Sequence, residues 1–285
     1  MRQLRNFAKN SALTAIALVP WVGAASAGTF VLAGPIKQGA LIQGRTDAGT
    51  RIEFDGRSVR VSDDGIFLIG FSRDAPRKAR LRVTYADGTR EWRTLKVQQR
   101  KYHIQRINGL PPRTINPTED DLKRIRAESA LIKKARRHND ARTDFLTGFA
   151  WPVKGRITGV YGSQRILNGE PRRPHFGLDI AAPEGALVVA PADGIVTLTH
   201  LDMFFSGGTL ILDHGHGLSS TFIHLSGILV KEGDRVRQGD PIAKVGATGR
   251  AKGAHLDWRL NLFNRRLDPQ LVLDAMPVKS SVSSK

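Results

Sequence analysis

A chain of 285 residues, 40% hydrophobic and 25% charged, is long enough for two domains of ordinary size, and its balance excludes wholesale disorder. The formal net charge of +18 calls for a polyanionic partner or a solubility role. The absence of cysteine excludes thiolate chemistry, so any metal must be held by His, Asp or Glu.

The first residues narrow the choice of polyanion. Arg2, Arg5 and Lys9 precede an apolar stretch from Ala12 to Ala25, which ends at Ala25-Ser26-Ala27. A positive segment, a short apolar core and a small-residue site together read as an export signal over residues 1–27, cleaved before Gly28. An uncleaved anchor is the competing reading, but the run is short for a span and Pro20 and Gly23 interrupt it. Cleavage leaves +15 of the +18 on an exported chain, found in the periplasm or cell envelope. The expected partners are then anionic envelope polymers or lipid head groups, and not nucleic acid.

Residues 28–110 read as a small N-terminal β-sandwich. Arg51-Ile52-Glu53-Phe54, Ser58-Val59-Arg60-Val61 and Arg80-Leu81-Arg82-Val83-Thr84-Tyr85 alternate polar with apolar, the period of a half-buried strand. Asp55-Gly56, Asp64-Gly65 and Asp87-Gly88 supply hairpin turns between them. No chemistry is recognisable here, so this region reads as a positioning or binding module.

Residues 111–148 form a linker with a helix. Asn116 is the expected N-cap, with Pro117 at the first helical position and Glu119 completing a capping box. Leu122, Ile125 and Ile132 mark an apolar stripe, while Lys133, Lys134, Arg136 and Arg137 near the end suit the helix dipole and read as a solvated face. From Phe149 the character returns to β, with glycine-rich turns between strands such as Thr209-Leu210-Ile211-Leu212 and Ala186-Leu187-Val188-Val189. This second β domain spans 149–273, with 274–285 a C-terminal tail.

Five of the eight histidines fall between His200 and His255, and His175 lies just upstream. In a strand, residues i and i+2 share a face about 6.6 Å apart, so His255 and Asp257 can converge while Leu256 and Trp258 turn to the buried side. His175 and Asp179 would stand about 13 Å apart in a regular strand, too far to share a metal whose bonds are about 2 Å long. A shared metal therefore requires irregular backbone between them, and Gly177 is the residue expected to bend it. His214-Gly215-His216 offers an H-x-H of its own, but its two glycines, Gly215 and Gly217, suggest a tight turn rather than a ligand pair. His103, His138 and His200 read as ordinary surface or core histidines.

Three stretches in order carry more weight: Pro174-His175-Phe176-Gly177-Leu178-Asp179-Ile180, Phe222-Ile223-His224-Leu225-Ser226, and Gly246-Ala247-Thr248-Gly249 leading to His255-Leu256-Asp257-Trp258. Together they resemble the M23 metallopeptidases, the lysostaphin and LytM-like peptidoglycan endopeptidases, over roughly residues 149–273. The resemblance implies a mainly β, antiparallel peptidase domain of LytM type with one Zn2+ in a groove, cutting peptide bonds of peptidoglycan stems or cross-links. It further implies His175, Asp179 and Asp257 as zinc ligands and His224 and His255 as the catalytic pair. Arg165 and Asn168 fall in the segment that lines the groove in the family, which implies substrate contacts.

Two positions depart from the family pattern. Phe222 stands where tyrosine is usual, and Asp257 stands where the family has a zinc-ligating histidine. Aspartate can ligate zinc through oxygen, so three protein ligands and an open position remain attainable. One His and two Asp give a neutral centre in place of a singly positive one, and a neutral centre should acidify bound water less. The alternative is a catalytically inactive LytM-like regulator of other wall hydrolases.

Overall fold

The computed structural model describes residues 28–107, 118–167 and 169–275. The export signal, Asn116, Pro117, Asn168 and the tail beyond residue 275 lie outside the described residues.

The protein is mainly β, built on antiparallel sheets. Strands β1 (Phe30–Ala33), β2 (Leu41–Thr46) and β5 (Ile66–Gly70) form one small sheet. Strands β3 (Arg51–Phe54), β4 (Arg57–Val59), β6 (Lys78–Thr84) and β7 (Arg90–Lys96) form a second. Ile42, Phe67 and Ile69 of the first meet Ile52, Phe54, Leu81 and Val83 of the second in one buried cluster, which makes the pair a sandwich. At the β3–β4 turn Asp55 and Gly56 both take positive φ, as the favoured two-residue hairpin loop demands.

Strand β8 (Ile104–Ile107) leaves the sandwich and pairs in parallel with β10 (Gln164–Leu167), which in turn pairs with β11 (Glu170–Pro171). Leu41, Ile66 and Leu68 of the sandwich also enter the core of the following β unit, so the two units share buried side chains.

Helix α1 (Glu119–Ala135) begins later than the sequence suggests. Thr118 is its N-cap: the Thr118 hydroxyl accepts from the Asp121 N–H and the Asp121 carboxylate accepts from the Thr118 N–H. Thr118 and Asp121 thus make the reciprocal box expected of Asn116 and Glu119. The docked face also differs. Leu122 is exposed, whereas Ile132 and Ala135 pack on Leu198, Met203 and Ile211. Between them Glu128 is buried, and its carboxylate accepts from the Phe204 N–H and from Arg124.

The large sheet runs β17 (Arg235–Val236), β14 (Gly194–Met203), β15 (Gly207–Asp213), β16 (Leu218–Ile228), β19 (His255–Leu262), β12 (Leu178–Ala181) and β9 (Arg156–Gly159). Strands β13 (Leu187–Val189), β18 (Pro241–Val245) and β20 (Arg265–Leu267) join it off that path, and the short helix α2 (Pro269–Ala275) follows. One face is the core, with Leu178, Ile180, Leu210, Leu212, Phe222, Leu256, Trp258 and Leu260 buried together. Each such side chain contributes about 1.5–3 kcal/mol on burial. Alternation therefore commits the intervening residues of β12, β16 and β19 to the other face, where the polar side chains gather.

Candidate metal centre

Asp179 of β12 and Asp257 of β19 are direct cross-strand partners, so their carboxylates share one face. His255 lies two residues before Asp257, and Leu256 and Trp258 are fully buried behind them, as strand alternation requires. His175 precedes β12. Its N–H donates to the Ser163 carbonyl and its carbonyl accepts from the Gly162 N–H, which turns the segment back toward the sheet. This irregular backbone leaves His175 Nε2 only 3.2 Å from Asp179 Oδ1. His175, Asp179 and Asp257 each offer one ligand atom within 4.8 Å of the others.

The chain bends at Gly177 as expected, without positive φ, and the residue has a second task. A Cβ there would sit 1.9 Å from Asp257 Oδ1, and one at Gly159 would sit 2.2 Å from Asp179 Oδ2. Both glycines keep the space the two carboxylates occupy.

His224 and His255 stand beside this cluster with ring centroids 4.9 Å apart. His224 Nδ1 lies 2.8 Å from the Thr248 carbonyl, and His255 Nδ1 lies 2.8 Å from the Gly253 carbonyl. A carbonyl only accepts, so each Nδ1 donates and each neutral ring keeps its lone pair on Nε2. His255 Nε2 is 3.9 Å from Asp179 Oδ1. Burial pushes the His224 pKa down, which favours the neutral form of a proton acceptor. His224 holds this position with φ of 68°, a left-handed conformation that costs about 1–3 kcal/mol in a non-glycine residue. Its N–H is satisfied by the Ser206 carbonyl.

The donor set suits a divalent cation. His175 Nε2 and Asp179 Oδ1 are close but not aligned for a hydrogen bond, and both are buried without a partner. Such orphaned groups cost about 1–3 kcal/mol each. Carboxylates facing each other across a ladder also repel. A cation bound by one imidazole nitrogen and two carboxylate oxygens relieves both penalties and leaves an open coordination position. Although burial alone would lower the His175 pKa, the neighbouring Asp179 and Asp257 carboxylates raise it.

Arg259 is the site residue that the sequence reading missed. It lies two residues beyond Asp257 on the same face of β19, with Nε 3.0 Å from Oδ1 and Nη2 2.6 Å from Oδ2. Burial opposes ionisation of Asp257, but the guanidinium outweighs it and holds the carboxyl below the usual carboxylate range. The count of one His and two Asp leaves this neighbour out: Arg259 adds one positive charge beside the three candidate ligands. An i+2 basic residue in a polar-face strand was the available signal, and a solvated arginine is its commoner meaning.

The other expected residues behave differently. Arg165 is exposed on β10, and among the described residues no hydrogen bond or ion pair links its side chain to the cluster. His214 is fully buried on the core side: Nδ1 donates to the Asp193 carbonyl, and Nε2 lies 2.9 Å from the Ser220 hydroxyl. His216 is buried edge-on to Phe145. Neither joins the cluster of His175, Asp179 and Asp257, as the turn reading expects.

A polar sheet face with a His/Asp cluster beside a histidine pair defines the class as a metallopeptidase-like β fold, and the comparisons are specific. The model for peptidase family M23 matches residues 173–269. A crystal structure from Pseudomonas aeruginosa assigned to peptidase M23 is 30% identical, with a TM-score of 0.65 over 86% of this chain and 97% of that one. An uncharacterised metalloprotease of Haemophilus influenzae is 32% identical over 171 residues, 60% of this chain and 31% of its own length. The peptidoglycan DD-endopeptidase ShyA of Vibrio cholerae is 35% identical over 138 residues, 47% of this chain and 31% of its own. Thus the chain spans under a third of the length of these two curated relatives. The chain belongs to peptidase family M23.

Proposed function

We propose that the protein is a zinc-dependent endopeptidase that hydrolyses peptide bonds in peptidoglycan stems or cross-links. The observation that carries the reading is the pairing of orphaned, buried His175 Nε2 and Asp179 Oδ1 with two imidazoles whose Nδ1 atoms are engaged by backbone carbonyls and whose Nε2 atoms stay free of the backbone. Membership of the family and relatives named as peptidoglycan endopeptidases support the substrate class.

In this reading His175, Asp179 and Asp257 hold the metal. Bound zinc supplies Lewis-acid polarisation of the scissile carbonyl and lowers the pKa of water. His224 and His255 divide two tasks between them, accepting a proton through Nε2 and steadying the charge that develops on the carbonyl oxygen. The sandwich of residues 28–110 acts as a positioning module for the peptidase unit of residues 149–273. Export to the periplasm or envelope follows from residues 1–27, and the positive surface holds the chain near anionic wall polymers or lipid head groups. N-terminal sequencing of the native protein should return Gly28.

One observation favours a second reading, a catalytically inactive regulator: Arg259 already engages both oxygens of the would-be third ligand. Zinc content and mass analysis of fragments released from purified peptidoglycan, with and without chelator, separate the two. Stoichiometric zinc with chelator-sensitive release supports the enzyme. A chain that stays metal-free at saturating zinc supports the regulator.

A further inference from the structure

We infer that Arg136, Arg259 and Arg266, with Arg173 at the rim, form a subsite beside the metal centre that binds a free carboxylate of the peptide substrate. The ligand class rests on the peptidase reading, while the cationic cluster rests on geometry.

The cluster is assembled from separate elements. Arg136 is the C-cap of α1, and its Nη2 reaches across to the Thr221 hydroxyl at 2.8 Å. Thr221 of β16 is the direct ladder partner of Arg259 on β19, so the helix delivers its guanidinium over the strand pair that carries Asp257. The stem of Arg259 passes over Gly177, where a Cβ would meet its Cγ at 3.0 Å. From the other side Arg266 of β20 and Arg173 both lie over the Phe176 ring, 5.0 and 5.8 Å from its centroid. Phe176 is the neighbour of His175, so Arg173, Arg259 and Arg266 surround the segment that seats the first imidazole, and Arg136 joins them from the Thr221 side.

Positive charge here exceeds its protein partners. Arg259 has Asp257, whereas Arg136, Arg173 and Arg266 have no carboxylate within 4.0 Å among the described residues. Arg136 Nε is buried with no acceptor. Arg136, Arg259 and Arg266 remain partly accessible, so a ligand can reach them. Their crowding registers in their acidity. Burial, then the neighbouring guanidiniums, pushes Arg136 down to about 9 and Arg266 down to about 10. Like charges held together at the edge of a sheet are stabilised by an anion, and planar guanidiniums match the two oxygens of a carboxylate in geometry. A peptide substrate supplies that group as its C-terminus or as a side-chain carboxylate near the scissile bond. The subsite also explains why the linker helix is docked through the buried Glu128: docking holds Arg136 over the sheet.

Titration calorimetry on the full chain, metal removed to prevent turnover, tests this with a synthetic stem pentapeptide and its twin in which every carboxyl is amidated. The acid form should bind the wild type about tenfold more tightly than the amide. Arg136→Met and Arg266→Met should bring that ratio close to one, and Arg266→Lys should retain part of it, with unchanged thermal midpoints showing that each variant is folded. Equal affinity for acid and amide in the wild type overturns the subsite, as does a wild-type ratio in both Met variants. If neither peptide binds, the peptidase reading fails, and inorganic phosphate then decides the cluster. Phosphate that stabilises the wild type but neither Met variant overturns the carboxylate assignment in favour of a phosphate site. Phosphate without effect overturns the anion site altogether.

Discussion

Arg259 grips both carboxylate oxygens of Asp257 from two residues further along the same strand, with Nη2 2.6 Å from Oδ2. Asp257 itself faces Asp179 across the ladder. The guanidinium thus neutralises the buried member of this carboxylate pair, Asp179 being only partly buried. Removing it should be costly. Arg259→Met leaves Asp257 buried without its counterion, and breaking a buried pair costs about 3–5 kcal/mol. Thermal denaturation should show a lower midpoint in the metal-free variant, and added zinc should recover more stability in the variant than in the wild type. An unchanged metal-free midpoint would remove Arg259 from the account.

Ligands and catalytic groups should separate by metal content. His175→Ala and Asp179→Ala should lose bound zinc together with activity. His255→Ala should keep most of its zinc while losing activity by about 10²–10⁴-fold, the range of a proton-transfer group. Metal analysis after dialysis, run beside a wall-hydrolysis assay, checks both. Equal zinc loss in all three variants would refute the division of roles.

Asp257→His sets an imidazole against the Arg259 guanidinium. We expect the single variant to bind zinc more weakly than the double variant Asp257→His/Arg259→Gln. Residues in direct contact couple by about 0.5–3 kcal/mol, so a zinc-affinity cycle over the four proteins should be non-additive. Additivity within error would mean that the two positions act independently.

His214 makes acid stability a separate matter from catalysis. Burial pushes its pKa down to about 4, well below its ordinary 6.5. Between those values the unfolded chain binds a proton that the folded chain refuses, so stability falls as the pH drops from about 6.5 to about 4. The full loss is about 3 kcal/mol, reached below the folded pKa. Urea denaturation across this range should show the slope, and His214→Gln should flatten it. An equally steep slope in the variant would assign the acid sensitivity to other groups.

Much of this architecture was readable from local pattern. Alternation around His255-Leu256-Asp257-Trp258 sets two polar side chains on one face and two apolar ones in the core, and a strand has no other way to satisfy it. The His175–Asp179 spacing rightly demanded a break in regular structure, but spacing alone could not say that a turn through Gly162 and Ser163 provides it. Residues whose type usually means solvent were the ones misjudged or passed over. Arg136, read as part of a solvated face, is held by the Thr221 hydroxyl far along the chain, and Glu128, on which the sequence reading was silent, is held by the Phe204 amide. Thr118 and Asn116 are both competent caps two residues apart, so sequence could not choose between them. Gly177 does bend, but spacing could not show that its missing Cβ also leaves room for Asp257.

The parallel pairing of β8 with β10 has a mechanical side. The Gln164 N–H donates to the His103 carbonyl, and one residue earlier the Ser163 carbonyl receives the His175 N–H. The rung that ties the sandwich to the peptidase unit therefore sits next to the rung that seats the first imidazole. Any shift of the chain leaving the sandwich at His103 would therefore be felt two peptide groups away, at the backbone that holds His175.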